Sequence, residues 1–391
     1  MRRVDFWVII LTALLTVVGM LAVYSAGGTR YLVRQLLFLP VAVAGLLAAW
    51  FVPRRVMHGM SIWLYAGVLL LLGLVLLLGA GPGAKRWFML GPVALQPSEF
   101  AKLGVMLLLA RYLEGRRSLE FSFRSLVVPA LICLAPAILI LVEPDLSAAM
   151  TLAAILAAML YWQGLRPLHV LLLFTPLLSF AAGFSLWTWI PFFVFLAVVM
   201  LVRTNLARTV VTLAFSSFFA LLSPLSLRLL RGYQADRIRS FLAPWFDPHG
   251  VGWNAIQSRI AIGSGQLFGK GYLCGTQNRL GFLPNRHTDF VFSCLGEEFG
   301  LIGALFLLGL FALLIRRFLV TARYERDNFS SLLCIGCAAV IGYQAFINIG
   351  MLLGVMPVTG VALPFISYGG SSLLLTYIMV GLVLNVSSRP A

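Results

Sequence analysis

The chain has 391 residues, of which 61% are hydrophobic and 11% charged. Soluble domains carry about 25% charged residues, and no soluble core hides this much apolar surface, so a polytopic membrane protein is expected and a soluble enzyme or binding module is excluded. A net charge of +16 would suggest nucleic acid in a soluble chain; here most Lys and Arg fall in short loops between apolar runs, so no nucleic-acid partner is expected, and anionic lipid or an anionic lipid-linked substrate fits instead.

Apolar runs lie at 5–26, 35–52, 60–79, 98–113, 126–143, 146–162, 168–184, 186–202, 209–229, 300–318, 330–352 and 371–387. In lipid the backbone must satisfy its own hydrogen bonds, so each run predicts a helix. The run at 5–26 is too long for a signal-peptide core and no clear small-residue cleavage site follows, so it predicts a first span and not a cleaved leader. The expected fold class is all-α: one membrane domain over 1–391, a bundle of about 10–12 spans.

Arginines set the orientation. Arg2 and Arg3, Arg54 and Arg55, Arg111, Arg116 and Arg117, Arg166, Arg203 and Arg208, then Arg316, Arg317, Arg323 and Arg326 fall on one side. That side is predicted to be cytoplasmic, with both termini there and an even number of spans. Four segments then lie outside the cytoplasm: 80–98, 143–146, 230–299 and 353–370. The third, a large loop, carries Arg231, Arg237, Arg239, Arg259, Lys270, Arg279 and Arg286. Long loops are partly exempt from the charge bias, which is one reading of these cations; the other, favoured here, is that they face an anionic ligand.

Glu99 and Lys102 stand three apart on one helix face; an internal ion pair that holds the helix is favoured over a site role. In Glu143-Pro144-Asp145 the proline breaks the helix, and Asp145 is placed to cap the next one. The run 263–271, Gly-Ser-Gly-Gln-Leu-Phe-Gly-Lys-Gly, has the wrong spacing for an ATP-binding loop. It is either a cradle of backbone N–H groups for a diphosphate or a tight turn. Asp289 stands alone between Asp247 and Glu297, beside His287 and aromatic residues, as a general base or a helix N-cap. The stretch 357–372 breaks helix at membrane depth with two prolines and three glycines, and hydroxyls such as Ser367 and Ser371 would wall a polar head group. The five cysteines suggest core packing; Cys334 and Cys337 have no second ligand pair for zinc.

Several segments, taken in order, resemble the SEDS family (shape, elongation, division and sporulation), whose best-known members are RodA and FtsW. They are Gly83-Ala84-Lys85-Arg86-Trp87, Gln96-Pro97-Ser98-Glu99 with Lys102, Pro144-Asp145-Leu146, Tyr233-Gln234 with Arg237, Asp247-Pro248, Gln257-Ser258, the glycine run, Leu283-Pro284, His287-Thr288-Asp289-Phe290, Gly296-Glu297-Glu298 and Pro357 to Ser372. Gly275-Thr276-Gln277 and Arg286 look more like RodA than FtsW. Asn285 stands where the family usually has Glu, and residues 168–202 look like an additional helical pair or include a re-entrant run.

The resemblance implies an inverting peptidoglycan glycosyltransferase in a bacterial cytoplasmic membrane, polymerising lipid II into glycan strands during elongation, with its active site extracytoplasmic. It implies Asp289 as catalytic base and no covalent intermediate. Candidate substrate contacts are Lys85, Arg86, Arg237, Lys270, Arg279, His287, Ser367 and Ser371. A divalent cation (Mg or Mn), with Asp289 or Glu298 as ligand, would share the diphosphate's charge, and no organic cofactor is expected. A class B penicillin-binding protein and other elongation-machinery membrane proteins are the implied partners. A lipid-precursor flippase and a cell-wall synthase scaffold are the competing classes; broken helices and midplane charges also suit a transporter.

Overall fold

The computed structural model describes residues 4–80, 86–90, 93–116, 123–226, 251–283 and 285–388. The helices are α1 (Phe6–Gly27), α2 (Thr29–Phe51), α3 (Arg54–Leu78), α4 (Pro97–Glu114), α5 (Phe123–Val142), α6 (Leu146–Trp162), α7 (Pro167–Ala182), α8 (Leu186–Arg203) and α9 (Leu206–Ser226). They continue with α10 (Val251–Ser264), α11 (Thr276–Arg279), α12 (Val291–Tyr324), α13 (Asn328–Leu353) and α14 (Gly370–Ser388). A small antiparallel hairpin, β1 (Phe88–Leu90) and β2 (Val93–Leu95), leads into α4. Among the described residues eight helices are long and apolar enough to cross a bilayer, and each predicted apolar run overlaps a helix. The chain is a multi-pass helical membrane protein.

The helices group into two compact units, residues 1–164 with 254–391 and residues 165–253. The second contains α7, α8 and α9, so 168–202 forms two helices. There the hydroxyls of Ser179 and Ser216 share a hydrogen bond at 2.7 Å, and Ser223 donates to the Phe180 carbonyl at 2.5 Å. Side-chain hydrogen bonds of this kind join helices whose surroundings offer no aqueous competitor.

In the larger unit α14 lies along α2. A Cβ on Gly381 would fall 2.3 Å from the Leu46 carbonyl oxygen, so only glycine admits this approach. Asn385 fixes the pair by donating its amide to the carbonyls of Ala49, Trp50 and Val52 at the end of α2. α13 is mostly buried, packed with α12, α6, α4 and α14. Cys334 and Cys337 lie within its core, all five cysteines are free thiols, and Cys274 is exposed while Cys294 is buried.

One end of this unit is tied by ions. Arg54 pairs with Glu114 and, at 2.6 Å, with Asp327; His58 meets Glu114 at 3.1 Å; and Arg317 meets Asp5 at 2.6 Å. Asp5 and Asp327 also cap α1 and α13. Each arginine here therefore answers a carboxylate or an open helix end. The other end carries the hairpin, the 263–290 segment and the 354–369 stretch, and there the candidate chemistry gathers.

Candidate functional site

Asp289 sits in a turn that ends where α12 begins. The carbonyl of Asn285 accepts the backbone N–H groups of Thr288, Asp289 and Phe290 at 3.0, 3.2 and 3.5 Å, and the Thr288 hydroxyl at 3.1 Å. Asn285 holds a left-handed φ of 50°, which Asn tolerates better than most residues. The N-cap position of α12 falls on Phe290, not on Asp289.

Three elements hold this turn. Asn348 of α13 donates to the Asp289 carbonyl at 3.1 Å and to the Val361 carbonyl at 2.6 Å. The Ser367 hydroxyl donates to the Thr288 carbonyl at 2.6 Å and accepts from the Leu363 amide at 2.8 Å, while the Tyr368 amide donates to the His287 carbonyl at 2.9 Å. Gln35 of α2 donates to the Ser367 carbonyl at 3.4 Å and accepts from the Gly369 amide at 3.2 Å. The Tyr31 ring stacks on His287 with centroids 3.9 Å apart, and Tyr368 meets Tyr31 edge-on at 5.1 Å. Burial, and secondarily the Arg286 charge, lowers the pKa of His287. Its imidazole is therefore neutral at neutral pH.

Ser371 continues the wall. Its hydroxyl donates to the Ala94 carbonyl at 2.9 Å and accepts from the Gln96 amide at 3.4 Å, which joins α14 to the hairpin. The Gln96 side chain then donates to Asp145 at 3.0 Å, and Asp145 caps α6 through the Ala148 amide at 3.1 Å. Arg86 donates through Nε to the Glu143 carbonyl at 2.7 Å and through its terminal nitrogen to the Pro144 carbonyl. The Glu143 carboxyl itself is 1% exposed, and among the described residues neither of its oxygens has a hydrogen-bond partner. Burial pushes its pKa up to about 8; Asp145 adds to the rise and Arg86 opposes it.

The glycine run is a turn that plugs a broken helix. Gly300 has a φ of 64° and interrupts α12. A Cβ there would fall 2.4 Å from the Gly269 nitrogen. The amides of Leu301 and Ile302, left without partners one turn back, donate to the carbonyls of Gln266 and Leu267 at 2.9 and 3.1 Å. In return the amides of Lys270 and Gly271 donate to the carbonyls of Glu297 and Glu298, both at 3.0 Å, and the Gly269 amide to Gly265. These N–H groups are engaged within the protein, so the diphosphate cradle is not what this run forms.

Glu297 organises the next turn. One carboxylate oxygen accepts from Lys270 at 2.8 Å, from the Thr276 amide and hydroxyl at 2.8 and 2.9 Å, and from the Gln277 amide at 3.1 Å. It thus closes the start of α11 and neutralises Lys270. Arg279 stands exposed at the end of α11. Glu298 is buried and accepts the Ser25 hydroxyl. On α4, the buried Lys102 ammonium meets Glu99 at 2.6 Å, and the second Glu99 oxygen has no partner among the described residues.

Among the sequence-predicted residues, Asp289 and His287 share one turn, which Ser367 grips from the 354–369 stretch, and Ser371 and Arg86 lie on the wall that runs on to Asp145. Lys270 is drawn to Glu297, while Lys85 and Arg237 lie outside the described residues. Among the described residues no three His, Cys, Asp or Glu side chains gather to hold a metal. A magnesium-type ion would have one or two carboxylates and the substrate's phosphates to bind it. Sequence reasoning missed Tyr31, Gln35, Glu143 as a buried acid, and Glu297 as a hub. Arg30 and Arg34, exposed at the start of α2, were also missed, although cations between the first two spans break the charge bias and could have flagged them.

The profile of the FtsW/RodA/SpoVE family, described as cell cycle protein, matches residues 5–190 and 185–390. A probable peptidoglycan glycosyltransferase FtsW from Trichlorobacter lovleyi is 34% identical over 98% of this chain and 93% of its own length. Peptidoglycan glycosyltransferase MrdB from Escherichia coli K12 is 37% identical over 86% of this chain and 80% of its own. Among solved structures, a chain from work on the coordination of polymerization and crosslinking by a peptidoglycan synthase complex superposes with a TM-score of 0.76 at 31% identity, covering 99% of this chain and 98% of that one. Rod shape determining protein RodA of Thermus thermophilus superposes with a TM-score of 0.65 at 30% identity, covering 98% and 96%.

Proposed function

This chain belongs to the FtsW/RodA/SpoVE family, and from that membership we propose that it is a peptidoglycan glycosyltransferase that polymerises lipid II during cell elongation. The observation that carries the site assignment is the Asp289 turn, held from α13, α2 and the 361–369 stretch at once. A base fixed on rigid elements keeps its reach to the proton it removes.

Asp289 takes the proton from the 4-hydroxyl of the incoming sugar. The oxygen attacks the anomeric carbon of the lipid-linked chain, and the bond to undecaprenyl diphosphate breaks with inversion. The diphosphate leaves with the electron pair, and fixed cations stabilise it. Arg86 and Arg279, with Lys85 and Arg237, supply that charge; Lys270 contributes less because Glu297 already neutralises it. A divalent cation, when bound, would add charge at the phosphate oxygens.

The active site faces away from the cytoplasm, as the arginine-rich opposite end suggests. A class B penicillin-binding protein crosslinks the strands made here. Gly275-Thr276-Gln277 and Arg286 favour the elongation role over division.

Purified protein with lipid II, read by a gel for glycan strands, tests the assignment. Asp289→Ala and Asp289→Asn are expected to abolish strands while the protein stays folded. Near wild-type synthesis by either would remove Asp289 from the reaction.

A further inference from the structure

The aromatic cluster at the start of α2 has no part in the chemistry described above, yet it touches the turn that carries the base. Tyr31 lies on the first turn of α2, and its ring packs over Gly27, where a Cβ would come within 2.7 Å of it. It stacks on His287 at 3.9 Å with an interplanar angle of 29° and takes Tyr368 edge-on at 84°. Tyr368 closes the triangle on His287 with centroids 5.8 Å apart. The Tyr368 amide also holds the His287 carbonyl, two residues before Asp289. On the next helical turn, Gln35 grips the backbone on both sides of Tyr368. The same helix face therefore clamps the Asp289 turn and the stretch that backs it.

We propose that Tyr31 is a positioning residue, whose ring, stacked on His287 and buttressed by Tyr368, fixes the 285–290 turn so that Asp289 is presented to the acceptor hydroxyl. This rests on Asp289 as the base. Offset-stacked and edge-to-face rings hold one another in a narrow range of angles, and small displacements of a base cost turnover steeply. The ring does this work and not the phenol, so phenylalanine serves as well as tyrosine.

The test uses full-length protein in detergent with lipid II, comparing wild type, Tyr31→Phe, Tyr31→Ala and Asp289→Ala. Hydrogen exchange of the 285–290 amides is followed alongside strand synthesis. Tyr31→Ala is expected to speed exchange in 285–290 and to lower kcat roughly tenfold with little change in KM. Tyr31→Phe should match wild type in both. Unchanged exchange in Tyr31→Ala, unchanged kcat despite faster exchange, or equal loss in Tyr31→Phe each overturns the proposal. Should Tyr31→Ala unfold, His287→Ala removes the same stack from the other side and is read by exchange alone; slow exchange there overturns it too. Strand synthesis surviving in Asp289→Ala would strike the base assignment, whereas the exchange result judges the aromatic clasp independently.

Discussion

Asn348 donates to the carbonyl of Asp289 at 3.1 Å from within a buried membrane helix. One amide also reaches the Val361 carbonyl, so a single side chain joins the turn of the base to the broken stretch behind it. Asn348→Leu removes the amide that bonds both carbonyls, and a buried carbonyl that loses its donor costs about 1–3 kcal/mol. Thermal unfolding should shift down by several degrees, and strand synthesis should fall at least tenfold. Unchanged activity in a stably folded Asn348→Leu would show that the turn holds without this tie.

Lys102 and Glu99 form a pair with the ammonium 1% exposed. Removing one partner strands the other charge in a low-dielectric site and costs about 3–5 kcal/mol. Lys102→Met and Glu99→Gln should each lower thermal stability and activity together, while the double variant should recover much of the stability. If Glu99→Gln loses activity at unchanged melting temperature, Glu99 acts on substrate.

Glu143 gives a pH signature of defined sign. Its pKa is raised from 4.5 to about 8 in the folded protein. The folded state therefore holds a proton that the unfolded state has released between these values, and stability falls as pH rises through this window. Above pH 8 the carboxyl is ionised and buried, at a cost on the order of 5 kcal/mol. Glu143→Gln should flatten the decline, with melting temperatures near wild type at pH 5 and higher at pH 9. Parallel stability curves for the two proteins would count against a protonated Glu143.

The leaving-group cations are separable by kinetics. Arg86→Ala and Arg279→Ala should lower the maximal rate of strand synthesis at saturating lipid II, whereas a contact to lipid head groups would alter only apparent affinity. Lys270→Ala should instead act through stability, since it strips the counter-charge from Glu297. A chelator should reduce the wild-type rate if a divalent ion shares the diphosphate. Unchanged maximal rates in both arginine variants, with indifference to chelator, would reject the cation account.

Hydropathy alone located the membrane helices, because length and apolarity are local properties. It missed their polar ends. α2 starts at Thr29 and not near 35 because Arg30 and Arg34 interrupt the apolar run without interrupting helical backbone. α12 starts at Val291 and not near 300 because Ser293, Glu297 and Glu298 find partners inside the fold: Ser258, Lys270 and Ser25. For the same reason part of the 230–299 loop is the helix α10. Asp289 and Ser367 stood out as isolated polar residues beside broken helix. Tyr31 did not, since its partners His287 and Tyr368 come from distant stretches of chain and no spacing rule links them. The glycine run could be read two ways until its amides were traced to the carbonyls of α12.

The break in α12 at Gly300 has a mechanical consequence. Residues 291–299, the 263–271 turn and α11 are stitched to one another by main-chain and Glu297 bonds. The helix beyond Gly300 is stitched to that same turn through Leu301 and Ile302. Residues 265–271 therefore splice the two parts of α12 across the break, so the span that starts beyond Gly300 and the short segment that follows the Asp289 turn are tied by bonds to one shared loop as well as by the chain itself.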